Sequence, residues 1–322
     1  MNEGSARIFL VVRNVSTGIA LGATLLALIA HQLNIENHLG WQVALAIIAL
    51  ALGIPHGAID HLISLPTHSW KRLLLFISGY VALAVASGFV IFQWNVFGFQ
   101  LVVLMSFLHF GFGDASFLAE LRQNLGKKAR SPSHHFLYAL TSGAVPVLLP
   151  LTSEQTSTAL KEIQPEIINW AGSSGTTIRN LLLILVGLAL IYLTLARQWR
   201  DALDLASLLL LALIAPPLVA FAVYFGCWHA ARHTARLTSL LPTSNNWAQS
   251  GKSLRAYVAA IIPGIPALIG ACALALVFAL KWNQDLPKTY LWILLVIVWA
   301  LTVPHMLATA RFDRKFLAQL NN

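Results

Sequence analysis

Two histidines four residues apart, His229 and His233, are the side chains in this sequence best placed for chemistry. They lie in the segment YFGCWHAARH (224–233), which continues an apolar run. On a helix this spacing places both imidazoles on one face, one turn apart, where they can bind a single metal ion. The alternative is a pair of helix-end histidines satisfied by backbone carbonyls or lipid head groups, and the segment alone does not decide between the two.

Six histidines lie inside apolar segments, and they share a depth across those segments. Most lie about 11–19 residues from the same end of their segment, which at about 1.5 Å per residue is one layer near the membrane midplane. Unrelated core histidines have no reason to share a depth, whereas a common metal site requires it, so we expect such a site. The six are His56, His61, His109, His229, His233 and His305. The others are expected to be interfacial side chains: His31, His38, His68, His134 and His135.

Two carboxylates follow closely on histidines in these segments. Asp60 comes four residues after His56, on nearly the same helix face, and Asp114 comes five residues after His109. A carboxylate commonly accepts the second ring N–H of a metal-bound histidine and so fixes its tautomer. We expect this supporting role for both carboxylates, with pairing to a nearby arginine at the inner interface as the alternative.

The donor set and the aromatic residues around it indicate the kind of chemistry. Imidazole suits Zn, Cu, Fe and Ni, and an all-histidine set of four with open positions favours redox chemistry with O₂ over a closed structural site. Flanking aromatic residues are candidates for the lining of an apolar substrate tunnel, with ordinary helix packing as the alternative. They are Phe107, Phe110, Phe112, Tyr224, Phe225 and Trp228.

The elements that position these residues must be membrane helices. Of the 322 residues, 57% are hydrophobic and only 10% are charged, whereas soluble proteins carry roughly 25% charged residues. This composition predicts an all-α, polytopic helical bundle that forms one domain over residues 1–322, with membrane lipid as its surroundings. The net charge of +9 comes from short basic clusters between apolar runs. Such clusters are typical of cytoplasmic loops and do not indicate a nucleic-acid partner.

Ten apolar segments are candidate spans, since about 20 apolar residues cross the roughly 30 Å hydrocarbon core. Pro216–Pro217 follows the short seventh segment, so segments seven and eight can also form one kinked span with a re-entrant piece. We therefore expect about eight to ten spans. Basic loops alternate with non-basic ones, which places both termini in the cytoplasm. The segments are 13–33, 42–64, 70–93, 98–121, 135–151, 177–196, 201–215, 217–239, 255–280 and 288–311.

Four separated motifs together resemble those of the Brp/Blh family of bacterial β-carotene 15,15′-dioxygenases. They are GIPHGAIDH (53–61), HFGFGD (109–114), YFGCWHAARH (224–233) and VPHM (303–306). The resemblance implies a cell-membrane enzyme with non-haem Fe(II). Such an enzyme cleaves the central double bond of β-carotene with O₂ and gives two molecules of all-trans-retinal. By motif match it implies four iron ligands, which are His56, His109, His229 and His233.

The resemblance also assigns weaker roles. His61 and His305 lie in matching motifs and are expected to line the site. Retinal as the product implies functional coupling to a retinal-binding membrane protein. Ten spans are more than the compact members of the family lead us to expect.

Two other classes of membrane protein compete with this interpretation. A desaturase or hydroxylase with two irons needs about eight histidines in clustered HxxxH or HxxHH sets, and this chain has one HxxxH. A metal or ion transporter needs a polar path on both sides of the site. The outer halves of the histidine-bearing segments are nearly free of charged residues, which argues against a transporter.

Overall fold

The described part of the chain is built from helices and contains no strand, which confirms the predicted all-α class. The computed structural model describes residues 3–33, 39–65, 69–163, 165–282 and 285–320, without the side chains at 159, 162, 163, 165, 166, 168 and 311–320. His38 and His68 lie outside these residues. The first helices are α1 (Glu3–Gln32), α2 (Leu39–Gly57), α3 (Asp60–Ser64), α4 (Trp70–Gln93), α5 (Asn95–Asn124), α6 (Pro132–Leu151) and α7 (Glu154–Ile163). The later helices are α8 (Gly175–Leu195), α9 (Trp199–Ile214), α10 (Pro217–Ala222), α11 (Ala230–Leu237), α12 (Pro242–Gln249), α13 (Ser253–Ile261), α14 (Ile265–Trp282) and α15 (Leu286–Leu320).

Seven helical stretches in the described residues are long and apolar enough to cross a membrane, which identifies a multi-pass membrane protein. Three of them include a short break in the α-helix: α2 continues into α3, the 3₁₀ helix Pro165–Ser174 continues into α8, and α13 continues through a 3₁₀ turn into α14. The seven stretches are Glu3–Gln32, Leu39–Ser64, Trp70–Gln93, Asn95–Asn124, Asn169–Leu195, Ser253–Trp282 and Leu286–Ala310.

The count of seven is lower than the eight to ten spans predicted, although every predicted segment coincides with a helical stretch. Three predicted segments are not among the seven stretches that are long and apolar enough to cross a membrane. They correspond to α6, α9 and the stretch 217–237. The helix α9 has only 16 residues. These stretches carry polar residues that are buried against other helices, for example Asp204 and His233. A helix that faces lipid must be apolar around its circumference, whereas a helix inside the bundle need not be.

The helix that carries His229 and His233 begins with a proline and contains a π-helical turn. Ala215 is extended, and Pro217 starts α10 at the position where a missing N–H costs least. The π-helix Val223–His229 then joins α10 to α11 with helical backbone angles at both junctions. Segments seven and eight are therefore two helices that separate before Pro217. A π-helical turn inside an α-helix is often found at a functional site.

Close packing between α5 and α6 depends on two glycines that face each other. A Cβ at Gly111 would overlap the backbone carbonyl of Ala139, and a Cβ at Gly143 would overlap the carbonyl of Phe107. Small residues at a helix crossing let membrane helices approach backbone to backbone, where dispersion contacts replace the missing hydrophobic driving force. This contact fixes the position of α5 beside His109.

A buried ionic network joins α1, α5, α9 and α11. The Arg13 guanidinium donates to Asp204 at 2.8 Å and pairs with Asp201 at 2.5 Å. The Arg232 guanidinium donates to the same Asp204 at 3.2 Å and lies 3.8 Å from Asp114. Asp204 is fully buried, so removal of either arginine would leave a carboxylate without adequate compensation inside the bundle.

These buried arginines correct one assumption behind the predicted topology. The alternation of basic and non-basic loops treats basic residues such as Arg13, Arg232 and Arg236 as loop charges, but their exposed fractions are 9%, 1% and 1%. Arg236 pairs with Glu120 of α5 at 2.8 Å. Their partners lie on other helices, far away in sequence, so an arginine near a helix end cannot be recognised as buried from its own segment. The topology prediction then depends on the remaining basic clusters, such as Lys127 and Lys128.

The cytoplasmic location of both termini remains a prediction, and reporter tags test it. A tag after Lys128, between α5 and α6, and a tag at the C-terminus should both report the cytoplasmic side. A tag beside Gln155, in the short helix that follows α6, should report the opposite side because α6 separates the two sites. Equal reports at Lys128 and Gln155 would show that α6 does not cross the membrane.

Candidate metal centre

Five imidazoles from four helices meet inside the bundle, and every one of them is buried. His56 follows Pro55 in the last turn of α2. The helix then ends, and Ala58 and Ile59 form a turn. His109 lies near the middle of α5, and His305 follows Pro304 in α15. His229 and His233 lie at the end of the π-helix and in α11. The five histidines are between 2% and 7% exposed.

Four of the rings form a closed circuit. In the order His56, His229, His109, His305 and back to His56, the ring centroids are separated by 5.2, 5.0, 4.9 and 5.4 Å. The His233 ring lies 5.1 Å from His56 and 5.5 Å from His305. Rings whose nitrogens lie about 2.1 Å from one metal ion have centroids roughly 4.5–5.5 Å apart. The circuit therefore has the ring spacing expected around one ion.

Several nitrogens in this cluster have no hydrogen-bond partner within the described part of the chain. They are Nδ1 of His56 and Nε2 of His229, His233 and His305, all buried. A buried polar atom without a partner costs on the order of 1–3 kcal/mol, so four in one place require an explanation. Neutral imidazole nitrogens are good ligands for a transition metal, and the donor set therefore fits one. As they stand, no three His, Cys, Asp or Glu side chains among the described residues already form a metal-holding group.

The two carboxylates predicted to support the histidines lie in different surroundings. The helix α2 ends at Gly57, and Asp60 begins the separate helix α3, so Asp60 does not follow His56 on one helix face. Instead, Asp60 accepts hydrogen bonds at 2.8 and 3.0 Å from Nδ1 of His305.

Asp114 contacts the other face of the helix that carries the histidine pair. It accepts from Nε1 of Trp228 at 2.9 Å and lies 3.8 Å from Arg232. Arg232 also covers the Trp228 ring at 3.6 Å. Because Trp228 and Arg232 immediately precede His229 and His233, Asp114 acts on the pair through the orientation of the helix. The arginine pairing that the sequence left as the alternative is the one observed.

Two cavities adjoin the histidine cluster. The first, about 200 Å³, contains His56, His109, His229 and His305 in its wall together with Phe76 and Tyr80 of α4. His61 and Asp60 also line it. The second, about 160 Å³, is lined mainly by apolar and aromatic residues, which include Phe99, Tyr224, Trp292 and Trp299. Four residues line both cavities and so form the wall between them: Phe110, Phe225, Val298 and Thr302.

The six aromatic residues predicted to line a tunnel divide into two sets. Phe110, Tyr224 and Phe225 line one or both cavities. Phe107, Phe112 and Trp228 line neither of them. Trp228 is fully buried between Asp114 and Arg232, an arrangement that agrees with the helix-packing alternative. His134, at the start of α6, is also buried and lies 4.0 Å from Asp201.

The fold and this centre define a class of protein: an all-helical, multi-pass membrane protein with a buried imidazole cluster beside apolar cavities. Within that class, the chain belongs to the β-carotene 15,15′-dioxygenase family of enzymes, whose sequence profile matches residues 47–313. This match confirms the resemblance seen in the four motifs.

Two relatives cover most of the chain. The β-carotene 15,15′-dioxygenase of the uncultured marine bacterium 66A03 is 30% identical over 278 residues, which are 82% of this chain and 90% of that protein. The probable β-carotene 15,15′-dioxygenase Blh of Halobacterium salinarum is 27% identical over 301 residues, which are 83% of this chain and 82% of that protein. No solved structure matches the chain.

The packing beside His56 gives a stability prediction. A Cβ at Gly53 would overlap the ring of Phe225, which lies in the wall between the two cavities. We expect Gly53→Ala to lower the free energy of unfolding by about 1–3 kcal/mol, as overpacking does, seen as a lower melting temperature in detergent. The control is Gly22→Ala in α1, where nothing lies within 4 Å of the added Cβ. Equal melting of the two variants would contradict the predicted clash.

Proposed function

We propose that this chain cleaves the central double bond of β-carotene with O₂, at one iron held by histidines, and releases two molecules of all-trans-retinal. The observation that carries the proposal is the buried imidazole cluster in the wall of an apolar cavity. The family and both named relatives support the substrate and the reaction. One carbon–carbon double bond breaks, and each of its carbons receives one oxygen atom of O₂. The balance therefore needs no further oxidant or reductant.

The metal proposal follows from the donor set. Non-haem Fe(II), when bound, supplies a centre that binds and polarises O₂. We propose His56, His109, His229 and His233 as its ligands, which the motif match also implies. The His229 ring lies 5.2 Å from His56 and 5.0 Å from His109, which is suitable spacing for one ion. The His233 ring lies 5.1 Å from His56 but 6.1 Å from His229 and 6.4 Å from His109, so it must move closer to those two rings for all four nitrogens to meet at one point. The protein itself contributes the fixed position of the rings and the exclusion of water, because every ring is buried among apolar side chains.

The two cavities provide a route for a long apolar substrate. β-Carotene is a symmetric polyene comparable in length to the roughly 30 Å membrane core. Apolar burial in the second cavity can hold one half of the molecule, beyond the wall formed by Phe110 and Phe225. The first cavity then presents the middle of the polyene to the histidines. Central cleavage follows if the polyene extends about equally to both sides of the cluster.

The membrane location determines how substrate arrives and product leaves. We propose that the chain resides in the cell membrane with both termini in the cytoplasm, and that β-carotene enters from the lipid. The wall of the first cavity includes residues of α4 and α14, whose outer surfaces carry many exposed apolar side chains. Retinal would return to the lipid, where a retinal-binding membrane protein can take it up without a passage through water.

The ligand proposal is tested by metal content. Purified wild-type protein should hold about one iron per chain, because the proposed ligands belong to one cluster of imidazole rings. Alanine at His56, His109, His229 or His233 should lower the metal affinity and the turnover by more than about 100-fold. Loss of a residue that merely supports a ligand already costs 10–100-fold. His31→Ala, at the exposed end of α1, is the control and should keep both. Full turnover by His229→Ala would rule out this ligand set.

The reaction is tested in cells that make β-carotene. Expression of this chain should turn iron-replete, aerated cells from yellow-orange to pale, and chromatography should show retinal as the main product. A hydroxylase would preserve the chromophore and its colour, and a transporter would leave the carotenoid unchanged. Longer apocarotenals would indicate cleavage away from the centre. An unchanged β-carotene peak would refute the proposal.

A further inference from the structure

A fifth imidazole, that of His305, occupies a position in the cluster that the four-histidine set does not explain. Its ring centroid lies 4.9 Å from that of His109 and 5.4 Å from that of His56, and both are members of the proposed ligand set. It lies 5.5 Å from the ring of His233 as well. Without His305 the circuit of rings around the centre is open on the side of α15.

The hydrogen bonds of His305 determine which ring nitrogen is available to a metal. Nδ1 lies 2.8 and 3.0 Å from the two carboxylate oxygens of Asp60. An ionised carboxylate can only accept, so Nδ1 carries the proton and donates it to Asp60. In the neutral ring Nε2 is then a bare acceptor. Nε2 is buried and has no hydrogen-bond partner among the described residues, and the His305 side chain lines the cavity that holds His56, His109 and His229.

Asp60 is itself held in place by a residue of a fourth helix. The hydroxyl of Tyr80 in α4 donates to Asp60 at 3.1 Å. The same hydroxyl lies 3.5 Å from the carbonyl oxygen of Gly57 and 3.4 Å from that of Leu301, where α2 ends and one turn before His305 in α15. Tyr80 therefore joins the three elements that must keep a fixed distance for the Asp60–His305 bond to form.

We infer that His305 is a further ligand of the metal and that Asp60 and Tyr80 are its positioning residues. A carboxylate that accepts the second N–H of a ligating histidine fixes the ring and raises its basicity, and this arrangement recurs at metal sites. If His305 served only to pair with Asp60, its other nitrogen would need no place in the cavity wall. Only the identity of the metal, iron, rests on the proposed function. The role of His305 as a ligand is argued from its own position and hydrogen bonds.

Metal binding to purified, metal-free protein tests the inference without any measurement of turnover. The probe is Co²⁺, whose d–d absorption bands report the number and kind of its ligands, and Fe²⁺ is titrated separately. His305→Ala should weaken Co²⁺ binding by at least about tenfold and shift the d–d bands. Asp60→Asn should weaken binding by about 10–100-fold, and Tyr80→Phe should weaken it less because it acts through Asp60.

The matched control is His61→Ala. His61 lines the same cavity but has no ring contact with the cluster among the described residues, so its loss should leave the Co²⁺ spectrum and affinity at the wild-type values. Melting temperatures of the metal-free variants separate loss of a ligand from loss of the fold, and the nearly isosteric Asp60→Asn provides a second variant if His305→Ala does not fold.

Wild-type affinity and an unchanged Co²⁺ spectrum in His305→Ala would overturn the inference while retinal formation still upheld the proposed function. A weaker affinity in His61→Ala equal to that in His305→Ala would also overturn it, because the effect would then belong to the cavity rather than to one ring. Absence of retinal from cells whose purified protein binds Co²⁺ through His305 would refute the proposed reaction and leave the ligand assignment in place.

Discussion

The buried guanidinium of Arg232 is the group on which the arrangement of the centre depends most. It donates to Ser16 in α1 at 3.1 Å and to Asp204 in α9 at 3.2 Å, and it covers the indole of Trp228. A charge in an apolar bundle is stable only while all of these partners stay in place, and removal of one partner of a buried pair costs about 3–5 kcal/mol. The rotation of α11 about its axis is therefore fixed. Arg232 is the residue before His233. When Arg232 is held against the ionic network, His233 therefore points toward the other histidines of the cluster.

The histidines of the centre could be predicted from the sequence because each is a polar residue inside an apolar segment. Five of the six that were expected to share a depth do meet, and the sixth, His61, lines the adjoining cavity. What could not be predicted is which residue supports which ring. That depends on the turn at Ala58–Ile59 between α2 and α3, which places Asp60 away from the helix face of His56 and beside His305. A spacing argument assumes a continuous helix, and it fails where the helix ends.

The ionic network shows a second limit of sequence reasoning. Arg13 and Arg232 lie near the ends of apolar segments, where a basic residue normally marks a loop. Their partners belong to α9. Asp201 is 188 residues from Arg13 in the chain, and Asp204 is 28 residues from Arg232. Hydropathy likewise finds the helices that contact lipid but underrates those that other helices surround. The helix α9, with 16 residues, is in addition too short to count as a span. Both errors arise from reading each segment without its neighbours.

The wall of the first cavity includes Phe76, Ile77 and Val81 of α4 and Ala267 of α14, next to surfaces rich in exposed leucine and phenylalanine. A site supplied through such a wall samples the bilayer and not the aqueous phase. Its saturation is then set by the mole fraction of carotenoid in the lipid, so that adding inert lipid at constant protein and constant carotenoid slows turnover by surface dilution. A Michaelis constant quoted per volume of water has no fixed meaning for an enzyme of this kind.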